Sequence, residues 1–128
     1  MRGWSLAVFL TLLALSSGCG EPEFYEVTGS VTLDEVAVPD GDVVFVPEKG
    51  AQFGPDAGKI VNGRYTAKVR KGKKKVEIRA VRDVPGKKGP MGEQLKEGYI
   101  PDRYNDKTIL EADIGPGKTA HDFPLKSK

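Results

Sequence analysis

The sequence is poor in the residues that most chemistry needs. It has one cysteine, one histidine and one tryptophan in 128 residues. A single cysteine excludes an internal disulfide and leaves no Cys/His cluster to hold a metal. The lone His121 has no partnered nucleophile and no second titrating group in any recognisable motif, which argues against nucleophilic or acid–base catalysis. The formal net charge is only +2, so net charge gives no strong preference for polyanions. With no aromatic stacking motif either, a nucleic-acid partner is not expected. No apolar run approaches the roughly 20 residues that cross a bilayer as a helix. No segment is long and periodic enough for a connecting helix, and no fixed-period repeat is visible.

Turn formers are abundant: 16 glycines and 9 prolines. That composition suits short strands joined by turns. The clearest element is a hairpin. Asn62-Gly63 sits between two alternating segments, and both residues tolerate the positive φ of a type I′ turn. Closure there sets Ile60 opposite Tyr65, with Ala67 and Val69 on the same face and Arg64, Thr66 and Lys68 turned away. Val76, Ile78 and Ala80 continue the apolar face beyond a basic turn at Arg70–Lys74. In Phe24–Leu33, Tyr25, Val27, Val31 and Leu33 share a face. Gly29 falls on it, which predicts a bulge or a close-packed neighbour. Asp42–Pro47, Thr108–Ile114 and Thr119–Leu125 complete seven short strands. Asp34–Gly41 and Glu48–Asp56 are expected as turn and loop. Arg82–Gly98 is expected as the longest irregular stretch, with at most one helical turn at Glu93–Glu97. Parallel crossovers are not expected, because no connecting helix is present. The fold class is therefore all-β, with two antiparallel sheets packed face to face.

The first residues form a separate object. Arg2 precedes a mostly apolar run, Trp4–Leu15, and Ser16, Ser17 and Gly18 are small residues ahead of Cys19. This resembles the lipobox of bacterial lipoproteins, with Ser16 where an aliphatic residue is preferred. The resemblance implies a signal peptide at residues 1–18, lipidation of Cys19 as the first mature residue, and a spacer over residues 19–23. Gly20 after Cys19 favours an outer-membrane or cell-surface destination. Removal of residues 1–18 takes away one basic residue and leaves 110, with 19 basic against 18 acidic. That is enough chain for one core, so residues 24–128 are expected as a single domain.

Few residues in that domain invite a functional reading. Lys68–Lys75 holds six basic residues in eight. Lys71, Lys73, Lys74 and Lys75 form a candidate ligand surface for anionic envelope polymers or headgroups. The alternative is a solvated turn that keeps strand edges from pairing. Phe53, Tyr99 and Tyr104 lie in irregular segments and suit either a sugar-stacking platform or lids over the core. Asp34, Glu35, Asp40 and Asp42 are loosely gathered acids that read as solvated turn residues, with calcium the alternative. No cofactor and no metal are expected.

In order and spacing, four stretches together resemble a known group. They are Val27–Leu33, Val43–Pro47, Asn62–Tyr65 and Ile100–Lys107. The group is the small bacterial lipoproteins with a carboxypeptidase-regulatory-like, transthyretin-like domain, common in planctomycete-type genomes. The resemblance covers essentially the whole mature chain and implies a seven-stranded prealbumin-like β-sandwich without an established activity. The chain departs from the group at Asp34-Glu35, where Asp-Gly is usual, which predicts a different turn geometry. It departs again at Lys74, where an aromatic is usual, which predicts a more basic and less well packed end. The function expected is a non-enzymatic, lipid-anchored structural or interaction module of the cell envelope, with a membrane and an envelope polymer or protein as partners. A carbohydrate-binding module and a transthyretin-like hydrolase are the alternatives. The hydrolases of that scaffold carry several histidines and a Tyr-Arg-Gly-Ser tail, whereas this chain ends Phe123-Pro124-Leu125-Lys126-Ser127-Lys128.

Overall fold

The computed structural model describes Gly3 and residues 23–128. Apart from Gly3, the expected signal peptide lies outside the described residues, as do Cys19 and all of the spacer except Glu23. The rest is almost entirely β. The strands are β1 (Phe24–Leu33), β2 (Val36–Ala37), β3 (Asp40–Pro47), β4 (Asp56–Val61), β5 (Arg64–Arg70), β6 (Gly72–Arg79), β7 (Val81–Lys88), β8 (Gln94–Gly98), β9 (Leu110–Ile114) and β10 (Phe123–Leu125). The one helical piece among the described residues is a single 3₁₀ turn, Asp102–Tyr104. The main sheet runs β10-β1-β5-β4-β3-β6-β9, with β2 paired to β1, and β7 and β8 form a separate ribbon.

The sheet folds over on itself, and both halves point their apolar residues into one cluster. Val27, Val31, Tyr65, Ala67, Val69, Phe123 and Leu125 come from one half. Val43, Phe45, Val76, Ile78, Ala112 and Ile114 come from the other. Phe45 and Tyr65 meet across the layers with ring centroids 6.2 Å apart. The alternation read from the sequence is the cause: every second residue of β5 and β6 is buried, as a strand with one wet face requires.

The central hairpin forms where expected. Ile60 pairs with Tyr65, and Asn62 and Gly63 have φ of 51° and 78°. Gly29 has its close neighbour: a Cβ there would come within 1.8 Å of the His121 carbonyl oxygen.

Several expectations need correction. Among the described residues ten strands form, where seven are expected. Arg82–Gly98 is no irregular stretch but the β7–β8 ribbon, and Glu93–Glu97 makes no helical turn; Gln94–Gly98 is a strand. The ribbon is held by pairing and by the Arg82–Glu97 and Lys96–Asp83 ion pairs at 3.0 and 3.3 Å. It is exposed almost throughout, so no apolar alternation announces it. Parallel pairing does occur: β10 lies parallel to β1, with Val31 opposite Phe123. No single crossover helix is needed, because the whole intervening chain makes the connection. Asp34-Glu35 makes a two-residue turn between β1 and β2 with φ of 50° and 69°. Positive φ at both positions is the type I′ pattern, so the missing glycine does not change the turn.

Candidate functional site

Strand direction sorts the charged residues by end. β1 starts at Phe24 beside Arg70, the last residue of β5, and β3 finishes at Pro47 beside Lys74 of β6. Glu23, the 48–55 loop and the turn at Lys71 between β5 and β6, narrower than the Arg70–Lys74 turn expected, therefore share the end at which β1 begins. The Asp34-Glu35 and Asn62-Gly63 turns and the C-terminal residues share the other: the Asp34 amide donates to the Leu125 carbonyl at 2.9 Å.

The basic run is not an open positive patch. Lys68 stands opposite Glu26 on the β1–β5 ladder. Lys73 stands opposite Asp113, and Lys75 opposite Glu111, on the β6–β9 ladder. Lys71 reaches Glu23 at 3.9 Å, and Arg70 pairs with Asp56 at 3.2 Å. Cross-strand pairs of opposite charge stabilise a sheet by a few tenths to about 1 kcal/mol each. Strand pairing thus brings acids distant in sequence against nearly every cation that Lys68–Lys75 contributes.

Lys74 is the exception. It lies on the core-facing register of β6, opposite Ala112 and Pro47, and is 8% exposed. Its four-carbon stem takes the place of an apolar side chain, as long cationic side chains do. It lines a cavity of about 250 Å³ together with Lys73, Lys75, Glu48, Glu111 and Asp113. Asp113 is paired there with Lys118 at 3.0 Å, so the three lysines share Glu48 and Glu111. Lys74 also lines a second cavity of about 310 Å³ beside Phe53, Arg70, Lys71 and Glu23.

Arg70 organises that second cavity. Its guanidinium carbon lies 5.0 Å from the ring centre of Phe24 and 4.8 Å from that of Phe53. Its Nη1 donates to the Gly54 carbonyl at 3.2 Å, and the Asp56 carboxylate accepts its backbone amide at 3.0 Å. Each aromatic contact contributes about 0.5–1 kcal/mol at an exposed site. Three distant segments are pinned at one point. Phe53 is no core lid; it packs on this arginine and stays 38% exposed.

The other candidates separate. Tyr104 is buried in the core. Its hydroxyl accepts the Lys126 amide at 3.1 Å, and Arg103 covers its ring at 4.7 Å, so it offers no face to a ligand. Tyr99 is half-buried under Arg82, at 5.1 Å, and burial raises its pKa. A stacking platform made of both tyrosines is therefore excluded. His121 contacts the Lys118 carbonyl through Nε2 at 3.1 Å, and its backbone amide donates to Thr28 at 3.0 Å. Among the acids, Asp42 pairs with Lys59 at 2.9 Å. Asp34 accepts both the amide and the hydroxyl of Ser127, and these bonds lower its pKa. Among the described residues no group of three or more His, Cys, Asp or Glu side chains is placed to hold a metal ion, and no helix is long and apolar enough to cross a membrane.

The Phe24–Arg70–Phe53 cluster went unread in the sequence. Its members lie on β1, in the 48–55 loop and at the end of β5, and no spacing links them; only the neighbourhood of Phe24 and Arg70 follows from strand pairing. No protein-family model, curated protein or solved structure matches the chain.

Proposed function

We propose that the chain is exported and held at a bacterial envelope membrane by lipid on Cys19. The β-sandwich that follows acts as a non-enzymatic structural or interaction module. The observation that carries this reading is the N-terminal order: a basic start, the Trp4–Leu15 apolar run, three small residues, and then the sole cysteine. A lone thiol in an exported chain otherwise lacks a role. Two or more acyl chains at one residue hold a protein stably on a bilayer, where one does so only marginally.

The fold is compatible with a presenting role. Most of the polar residues that first suggested chemistry are engaged in holding the sheet: Lys73 and Lys75 stand opposite acids of β9, Tyr104 accepts a backbone amide, and His121 contacts a backbone carbonyl. The ladder order supports the prealbumin-like arrangement. It divides at the Asn62-Gly63 hairpin into β10-β1-β5 and β4-β3-β6-β9, two layers sharing one core.

Intact mass of the protein extracted from bacterial membranes tests the anchor. The expected species begins at Cys19, carries acyl mass, and lacks tryptophan fluorescence because Trp4 is the only tryptophan. Cys19→Ser is expected to give unprocessed or released protein. An unmodified chain recovered from the cytosol refutes the reading.

A further inference from the structure

We propose that the end of the sandwich carrying Phe24, Phe53, Arg70 and Lys71 lies on the bilayer surface and docks on anionic phospholipid headgroups. The proposal rests on the lipid anchor at Cys19 and specifies the face that the anchored domain turns to the membrane.

The tether sets the geometry. From Cys19 to Glu23 is four residues, at most about 14 Å of extended chain. Glu23 is built into this end: its carbonyl accepts the Lys71 amide at 2.9 Å, and its carboxylate lies 3.9 Å from the Lys71 ammonium. The far end is separated by the length of β3, eight residues, or about 26 Å at the usual rise of a strand. One end is thus confined close to the headgroups and the other is not.

The confined end has the surface chemistry that an interface favours. Eight large apolar side chains are exposed among the described residues, and the two aromatic ones, Phe24 at 45% and Phe53 at 38%, both sit here. The other six are aliphatic or methionine. Phenylalanine is among the apolar side chains with which surface-bound segments bury into the headgroup boundary. Arg70 holds both rings, so they are ordered before contact and lose little freedom on binding. Lys71 is exposed beside them, and Lys74 lines the adjoining cavity. Glu23 and Asp56 offset part of this charge. The attraction is accordingly modest, suited to orienting a domain that lipid already holds rather than to recruiting it.

A form starting at Cys19, coupled through that sole thiol to maleimide lipid in the vesicles, keeps the tether and every core residue, since these run from Val27 to Leu125. With Phe53→Trp as the reporter, phosphatidylcholine vesicles containing phosphatidylglycerol are expected to blue-shift the emission. Brominated lipid is expected to quench it. Vesicles of phosphatidylcholine alone are expected to do neither. Lys71→Glu is expected to weaken the response about tenfold, and added salt to weaken it further. Phe24→Trp is a second reporter at the same end, and Val36→Trp, on β2 at the far end, is the control. Unchanged emission from both reporters overturns the docking surface, as does equal quenching of Val36→Trp. Neither result touches the anchor, which the mass of residue 19 decides separately.

Discussion

Tyr65 is the residue on which most of the core converges. Its ring lies between Phe45 and Phe123, with centroids 6.2 and 6.1 Å away. Its hydroxyl donates to the His121 carbonyl at 2.7 Å. Burial, with a smaller contribution from Asp122, raises its pKa well above the ordinary tyrosine value. A raised pKa in an acid means that the folded state keeps a proton that the unfolded chain gives up. Stability is therefore complete below the unfolded value near pH 10 and falls above it, by up to about 1.4 kcal/mol per pH unit. Tyr65→Phe is expected to lose about 1–2 kcal/mol at neutral pH, because the carbonyl loses its donor, and also to lose this alkaline slope. Denaturant melts at pH 7 and pH 11 check both; a variant with the same slope as the parent removes the tyrosine from the account. Glu35 allows a test of opposite sign. Its φ of 69° is unfavourable for a residue with a Cβ. Glu35→Gly is expected to raise stability by about 0.5–1 kcal/mol, the relieved strain exceeding the added freedom of the unfolded chain. Asp34→Gly is expected to lower it instead, since the Asp34 carboxylate holds Ser127. A thermal melt in which both variants move the same way contradicts this turn analysis.

At the level of elements, the segment leading into β10 lies tightly against β1. The chain passes over β1 so closely that Gly29 leaves no room for a side chain, and Tyr65 caps the same carbonyl from the neighbouring strand. Gly29→Ala forces backbone to move, since the obstacle is the His121 carbonyl and not a flexible side-chain tip. The expected cost is about 1–3 kcal/mol, read as a fall in the midpoint of thermal unfolding, and a variant as stable as the parent rules out the contact. Gly29 was legible as an exception on an apolar face, although the partner that demands it lies 92 residues on, a separation no local pattern carries. The same distinction separates the elements found from those missed. Strands contributing alternate residues to the core, such as β5 and β6, write their period into the sequence. The β7–β8 ribbon contributes nothing to the core, and its ion pairs join residues with no fixed spacing. The site followed suit. The lysine run was visible because charge is local, and the acids set opposite it were not, because Glu26, Glu111 and Asp113 reach it only through strand pairing. Tyr104 is the lid over the core that its loop position allowed, its ring tucked inward by the 3₁₀ turn that follows Pro101.

At the level of the whole molecule, the last strand completes the sheet begun by the first. Ser30 and Asp122 join across 92 residues, the carboxylate accepting the Ser30 amide at 2.9 Å. Val31 and Leu33 take Phe123 and Leu125 as parallel partners. Phe123 and Leu125 are both buried, with exposures of 6% and 1%. Each such side chain contributes about 3–5 kcal/mol, so together they rival the roughly 5–15 kcal/mol that keeps a domain folded. A chain ending at Lys118 also bares the edge of β1 and its unpaired amides, a template for aggregation. Such a truncation is expected to lose the cooperative thermal transition followed by circular dichroism. One ending at Leu125, which keeps β10 and gives up only the Ser127 and Lys126 contacts, is expected to melt within about 5–10 °C of the parent. If the shorter chain still melts cooperatively near the parent temperature, closure by β10 is dispensable. The core would then have to be complete without its final strand, and the parallel pair would be a consequence of folding rather than a condition for it.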